Sequence, residues 1–296
     1  MIVNMADMLR SAKDEKYGII AVCPLDLEQI SYGFIAARYK KSPVIICCNP
    51  ALHLHKAGNY ETSSLEMIGR TFKYYASRYP DVVAALCLDH GDSLEMALRA
   101  ILAGYTGVMV DKSMYDDETN ARILKEVVEV AHAANVGVEA GLGGTAWRDP
   151  TPEEIEAHLT KVDAMQKFVK ETNVDVVAVS VGGSHGDHKT GQAVLLYDLI
   201  KDLNECSNAI LCMHGSSQTG DEKLAIGAEN GLAKFNVGGD LLIGAVGAFT
   251  EYYNGGEYIR ERNISNFFDS LKTGYVNRIE EYMDFLGSSN KVKGEN

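Results

Sequence analysis

The sequence predicts a closed (β/α)8 barrel, a TIM barrel, formed as a single domain over residues 1–296. Three observations carry that expectation. Short apolar runs, each suited to a strand buried on both faces, alternate with stretches of helical spacing along the chain. The connections are short, with no linker, low-complexity stretch or internal repeat. The chemically capable side chains fall at or just past the carboxyl ends of the apolar runs, and in a closed barrel those ends ring one mouth. A doubly wound open sheet shares the first two features; the third favours closure.

The elements follow in order. Met5 to Lys16 has helical spacing, and GIIAVC (Gly18 to Cys23) is the first buried strand, left at Pro24. Leu27 to Tyr39 is a helix stopped by Ser42-Pro43, and PVIICC (Pro43 to Cys48) is the second strand. After a loop holding His53 and His55, a helix over Leu65 to Ser77 ends before Pro80. The third strand, Val83 to Leu88, runs straight into Asp89, His90, Gly91 and Asp92. Neighbouring residues on a strand end point in different directions, so one can hold a metal while the other faces a substrate. Met96 to Ala103 is a helix closed by Gly104. The fourth strand, Gly107 to Val110, ends at Asp111, and a long amphipathic helix covers Asp116 to Ala134. Val136 to Ala140, the fifth strand, contains Glu139 and precedes the glycine-rich loop GLGGTAWRD (Gly141 to Asp149). Pro152 opens a helix with Glu153 and Glu154 in its first turn. The sixth strand, Val174 to Val181, leads into GGSHG, and a helix follows near Leu195 to Leu203. The seventh, Ala209 to Met213, ends at His214-Gly215, and Asp221 to Asn230 is helical. The eighth, Leu232 to Val237, ends in Gly238-Gly239-Asp240, and the tail is largely helical.

Composition narrows the function. With 28 basic against 41 acidic residues the net charge is −13, which disfavours nucleic acid or an anionic membrane as partner. A local site can still hold a small anion. The N-terminus carries no basic-then-apolar signal and no apolar run is long enough to span a bilayer, so a cytoplasmic protein is expected. The six cysteines lack paired zinc-ribbon spacing and sit in or beside apolar runs, so reduced, mostly buried thiols are expected.

Eight histidines compete for a role. His132 and His158 lie in helices, His53 and His55 read as a surface pair, and His188 lies in a loop. His90, His185 and His214 differ: each ends a different apolar strand, and each is followed by glycine, which allows close approach beside the ring. Three imidazoles with a fourth position open make the donor set of a catalytic zinc rather than a structural one.

LDHGDS, GYTGVMVDKS, VEAGLG, VGGSHG, HGSSQTG and KFNVGGD, in this order and on these strands, resemble the class II (zinc-dependent) fructose- or tagatose-bisphosphate aldolases. The resemblance runs from about Tyr17 to MDFLGSSNK, nearly the whole chain. It implies a TIM barrel, one Zn2+ per subunit, a monovalent cation near the phosphate site, and a homodimer or homotetramer. The implied reaction is reversible cleavage of a ketose, usually phosphorylated at C1, to a ketone triose such as dihydroxyacetone phosphate and an aldehyde. By position, His90, His185 and His214 match the metal ligands, and Asp89 matches the acid/base that handles the C4 hydroxyl. Asp149 falls where the family has a loop glutamate that moves the proton at the nucleophilic carbon. Gly186, Lys189, Gly215, Ser217, Gly238 and Gly239 match positions around the substrate phosphate. Asn236 and Asp240 match the asparagine and the acidic end of the strand-eight motif. Asp111 and Glu139 are then carboxylates that orient ligand imidazoles.

The departures lie in the substrate-facing positions. The family's second glutamate after Glu139 is Gly141 here, and its glycine pair before the loop glutamate is Ala146-Trp147. Lys112 replaces a glycine between Asp111 and Ser113, Ser216 and Gln218 replace glycines of the phosphate loop, and Gly239 replaces a threonine or serine. Cys23-Pro24-Leu25 stands for an asparagine-rich segment, and Asn49 for a serine. An intact metal set with an altered surround implies an active lyase for a different ketose. Two other readings stand beside it. One is a non-catalytic metal- or sugar-phosphate-binding relative. The other is a Schiff-base aldolase or sugar isomerase on the same barrel, for which Lys234 is the one lysine inside a strand.

Overall fold

The computed structural model describes residues 1–50, 64–144, 146–147, 151–185, 194–256 and 264–293, with backbone alone at 146, 147, 184, 185 and 264. The strands are β1 (Ile19–Val22), β2 (Val44–Cys48), β3 (Ala84–Gly91), β4 (Gly107–Val110) and β5 (Gly137–Leu142). They continue as β6 (Ala146–Trp147), β7 (Val176–Val179), β8 (Ser184–His185), β9 (Ile210–Met213) and β10 (Leu232–Val237). Eight of them close in the order β1-β10-β9-β7-β5-β4-β3-β2, every pair parallel. The expected TIM barrel is the fold, with helices on the connections.

Those helices are α1 (Met5–Glu15), α2 (Leu27–Lys40), α3 (Leu65–Arg78), α4 (Leu94–Ala103), α5 (Asp117–Ala133) and α6 (Pro152–His158). The remainder are α7 (Val162–Thr172), α8 (Tyr197–Cys206), α9 (Asp221–Glu229), α10 (Gly239–Asn254) and α11 (Ile264–Phe285). Their starts obey local chemistry: Asn4, Asp26, Ser64, Ser93 and Asp116 each accept a backbone N–H from the first turn, and Thr151 with Glu154 forms a capping box. Gly104 ends α4 at φ +92°, as its sequence position predicts.

The barrel wall has two cores. Outward-facing residues such as Val22, Leu86, Val138, Leu211 and Phe235 pack against the helices. Inward-facing Ile19, Ala21, Cys47, Cys87, Ile210, Cys212 and Ala233 fill the barrel with small side chains and meet Met5, Leu9 and Ala12 of α1, which plug its lower end. All six cysteines are free thiols; four are buried and Cys23 and Cys206 partly so. Among the described residues, no helix is long and apolar enough to cross a membrane.

Two elements differ from the sequence expectation. The stretch after Pro152, where only a helix start was expected, holds two helices, α6 and α7: Leu159 closes α6 on the Glu156 carbonyl, and Thr160 breaks away to bond across the barrel rim, its N–H donating to the Ser180 carbonyl. The glycine-rich loop carries a short strand: Ala146 and Trp147 pair in parallel with Ser184 and His185. Only long-range pairing creates β6 and β8, so no local periodicity announces them.

Candidate active site

Strand β3 runs three residues further than its apolar run, through Asp89, His90 and Gly91. Its pairing with β4 is irregular between Leu88 and Gly91, and His90 takes φ +51°, a left-handed backbone that non-glycine residues rarely adopt. The kink leaves Asp89 buried in the mouth and His90 partly exposed beside it. Gly91 follows because a Cβ there would sit 2.7 Å from Leu88 and 2.8 Å from the Met109 carbonyl. The second His-Gly pair has another cause: Gly215 turns the chain at φ +69° as β9 ends.

The two imidazoles converge. His90 Nε2 and His214 Nδ1 lie 3.0 Å apart, with the rings edge to face. Behind them, His90 Nδ1 meets Asp111 Oδ2 at 2.7 Å and His214 Nε2 meets Glu139 Oε1 at 2.7 Å. Each carboxylate is fixed in turn. Asp111 Oδ1 accepts from the Ser113 backbone N–H at 3.0 Å and from its hydroxyl at 2.7 Å. Glu139 Oε2 lies 2.7 Å from the Lys234 ammonium. Asp89 Oδ1 accepts from Asn236 Nδ2 at 3.1 Å and lies 4.0 Å from His90 Nε2.

This donor set fits a divalent cation. A carboxylate accepts a hydrogen bond from the rear N–H of each ring, which turns the front nitrogens toward each other as lone-pair donors. Two acceptors 3.0 Å apart need a proton or a cation between them. Ligand atoms of Asp89, His90 and His214 all lie within 4.8 Å of one another. His185 has its backbone on β8 beside this mouth, paired with Trp147; its side chain lies outside the described set, as do Asp149, Gly186 and Lys189.

The charges respond to one another. Burial alone would lower the His90 pKa, but Asp89, Asp111 and Glu139 outweigh it and push it up to about 9. Burial alone would raise Asp111 and Glu139. His90 and Ser113 hold the first well below the carboxylate range, and Lys234 and His214 hold the second there.

Across the mouth, the loop after β9 meets the start of α10. Ser217 Oγ accepts from the Asp240 backbone N–H at 3.1 Å, and a Cβ on Gly239 would make ordinary contact with Ser217 at 3.4 Å. Gln218 sits at φ +61°, which accounts for the family's glycine there. Its N–H donates to Asp240 Oδ1 at 2.9 Å, while Asp240 Oδ2 accepts from Tyr282 at 2.8 Å and Arg278 at 3.2 Å. Asp240 therefore braces the loop with its carboxylate, and α10 begins at Gly239 directly beside that loop, with no side-chain cap from Gly238. Lys112 donates to the Asp92 carbonyl at 2.6 Å and lies over the Tyr115 ring, so its charge is engaged at the rim.

A recess of about 440 Å3, counting its open mouth, adjoins both histidines and is lined by Ser113, Gly141, Gly144, Ser180 and Gly183. A Cβ at Gly141 would lie 3.0 Å from Asp111 Oδ1 and 3.1 Å from Ser113 Cβ. The Asp111–Ser113 pair thus occupies the space that a side chain at 141 would need. Gly141→Ala is expected to shift Asp111, loosen His90 and weaken metal binding by up to about tenfold. Metal titration of chelator-stripped protein checks this, and unchanged affinity would mean that Ser113 yields without disturbing His90.

Sequence reasoning did not single out Ser113, nor the Asn236–Asp89 bond. Ser113 carried a usable signal, lying two residues past Asp111 at a strand end. The Asn236 bond spans 147 positions and has none.

Lys234 is fully buried and ion-paired. Burial disfavours its ammonium, yet Cys212, Cys47 and Glu139 around it keep its pKa above the ordinary lysine value. A Schiff base needs a neutral amine that reaches the substrate carbonyl, and Lys234 offers neither.

The comparisons agree with this geometry. Residues 3–291 match the family model described as "Fructose-bisphosphate aldolase class-II". The chain is 29% identical to the fructose-bisphosphate aldolase of Helicobacter pylori (strain J99), over 99% of this chain and 100% of that protein. It is 30% identical to the sulfofructosephosphate aldolase of Alkalicoccus urumqiensis, over 97% and 96%. Among solved structures, the YdjI aldolase of Escherichia coli K12 superposes with a TM-score of 0.83 at 26% identity, covering 99% of this chain and 100% of that one. A closed parallel barrel whose mouth holds carboxylate-backed imidazoles, matched along almost its whole length, makes this chain a member of the class II fructose-bisphosphate aldolase family.

Proposed function

We propose that the protein is a Zn2+-dependent aldolase that reversibly cleaves a phosphorylated ketose between C3 and C4. The products are dihydroxyacetone phosphate, or a related ketone triose, and an aldehyde. The observation that supports it most is the pair of imidazole nitrogens facing each other at 3.0 Å, each ring anchored from behind by a carboxylate.

His90 and His214, with His185 as the third donor, would hold the ion. A divalent cation in this place supplies Lewis-acid charge worth several kcal/mol to the developing carbanion. The rest is done by the chain. Asp89, buried and held by Asn236, takes the C4 hydroxyl proton. As that proton leaves, the C4 oxygen forms the aldehyde carbonyl and the C3–C4 electron pair stays with the ketone fragment. Asp149 returns a proton to that carbon. The α10 N-terminus with Gly215, Ser217, Gly238 and Gly239, joined by Gly186 and Lys189, takes the phosphate. Asp240 keeps that loop in place. The recess beside Gly141 would accept a substrate end that differs from fructose bisphosphate.

The test is cleavage of a panel of ketose mono- and bisphosphates, with the released aldehyde measured, in the presence of Zn2+ and after chelation. Cleavage abolished by chelator and restored by metal is expected, with no adduct trapped by borohydride. Chelator-resistant cleavage, or none with any ketose phosphate, would refute the assignment.

A further inference from the structure

The barrel interior below the mouth is built from Ala, Cys, Ile and Val, and one residue breaks that pattern. Lys234 stands among them with no solvent exposure, the only lysine in the core among the described residues. The strand alternation places Ala233 on the inside, so its neighbour should face out. Instead the register between β10 and β9 shifts between Leu232 and Lys234, a bulge that turns Lys234 inward while Phe235 returns to the outer core and Asn236 to the mouth. An inward lysine costs desolvation that a methionine of similar length would not. It supplies three donors in one place.

Two of its contacts lead to opposite sides of the site. Lys234 Nζ lies 2.7 Å from Glu139 Oε2, and Glu139 Oε1 meets His214 Nε2 at 2.7 Å. With Oε2 held, the carboxylate cannot rotate away from the ring, so His214 keeps Nδ1 toward His90. Lys234 Nζ also donates to Asn236 Oδ1 at 2.7 Å. An ammonium has donors and no acceptor, so the amide oxygen must face it and the amide NH2 must face Asp89. That NH2 holds Asp89 Oδ1 at 3.1 Å. A third contact, Cys212 Sγ at 3.6 Å, completes its surround.

We propose that Lys234 is a positioning residue that couples the two halves of the site, fixing the ligand ring His214 through Glu139 and the proton-transfer residue Asp89 through Asn236. The Asp89 half rests on the lyase reading; the His214 half stands on the geometry alone.

The test uses Lys234→Met, which keeps the side-chain length and removes the donors. Folding is followed by circular dichroism and thermal melting, Zn2+ affinity by titrating the metal alone into chelator-stripped protein, and kcat and KM on the cleaved ketose phosphate. Affinity weaker by about tenfold or more, together with a kcat loss of about tenfold or more and little change in KM, is expected. A folded variant with unchanged Zn2+ affinity, or with only one of the two losses, overturns the coupling. If Lys234→Met does not fold, Glu139→Gln/Lys234→Met removes the ion pair as a unit and is compared with Glu139→Gln alone. A further kcat loss of about fivefold or more supports the Asn236 arm. Equal kcat, or failure of both Lys234 variants to fold, reduces Lys234 to a structural residue. Absence of cleavage by the unaltered protein defeats the lyase reading instead, because the His214 arm is read from metal affinity.

Discussion

Asp89→Asn is expected to lower kcat by about 10²–10⁴-fold, or about 3–5 kcal/mol of barrier, while metal affinity stays near that of the unaltered protein. The separation follows from the geometry. Asp89 points into the mouth 4.0 Å from His90 Nε2, whereas the rings are oriented by Asp111 and Glu139. Asparagine has nearly the same shape, and its amide oxygen can still accept from Asn236 Nδ2, so the site keeps its packing and loses only the base. Steady-state kinetics beside metal titration checks both halves. A variant that loses metal in step with activity would make Asp89 a ligand.

Metal uptake by the stripped protein is expected to strengthen about tenfold per pH unit between roughly pH 7 and 9. In the metal-free protein the His90 pKa is raised to about 9, so at neutral pH a proton sits on the ring and must leave when a cation enters. The sign for stability runs the same way. A raised pKa stabilises the metal-free fold fully below the ordinary histidine value near 6.5, and this stabilisation fades as pH climbs through about 9. Competition with a chromophoric chelator across that range measures the slope, and thermal melting of stripped protein checks the stability trend. A flat affinity profile would show that His90 is already neutral at pH 7.

The barrel was legible in the sequence because burial on both faces forces unbroken apolar runs, and runs such as VIICC and AALCL have no other economical place. Asp89, His90, Asp111, Glu139 and His214 were legible for a related reason: each interrupts or ends such a run, where an apolar residue would otherwise stand. Helix α7 was not singled out although Val162, Met165, Phe168 and Val169 carry its spacing, because only the start at Pro152 has a strong local signal. Strands β6 and β8 could not be read at all, being two residues each and defined only by their pairing.

The sequence by itself determined the order of strands and helices, the chemistry available at their ends, and the family, because these depend on residue type and spacing along the chain. Tertiary structure alone decided who meets whom: Asp111 with His90, Glu139 with His214, Asn236 with Asp89, and Lys234 between the last two pairs. Those meetings depend on barrel closure, on the kink at His90 and on the bulge beside Lys234. A one-residue shift in a strand exchanges its inner and outer faces, and no one-dimensional pattern records where such a shift occurs.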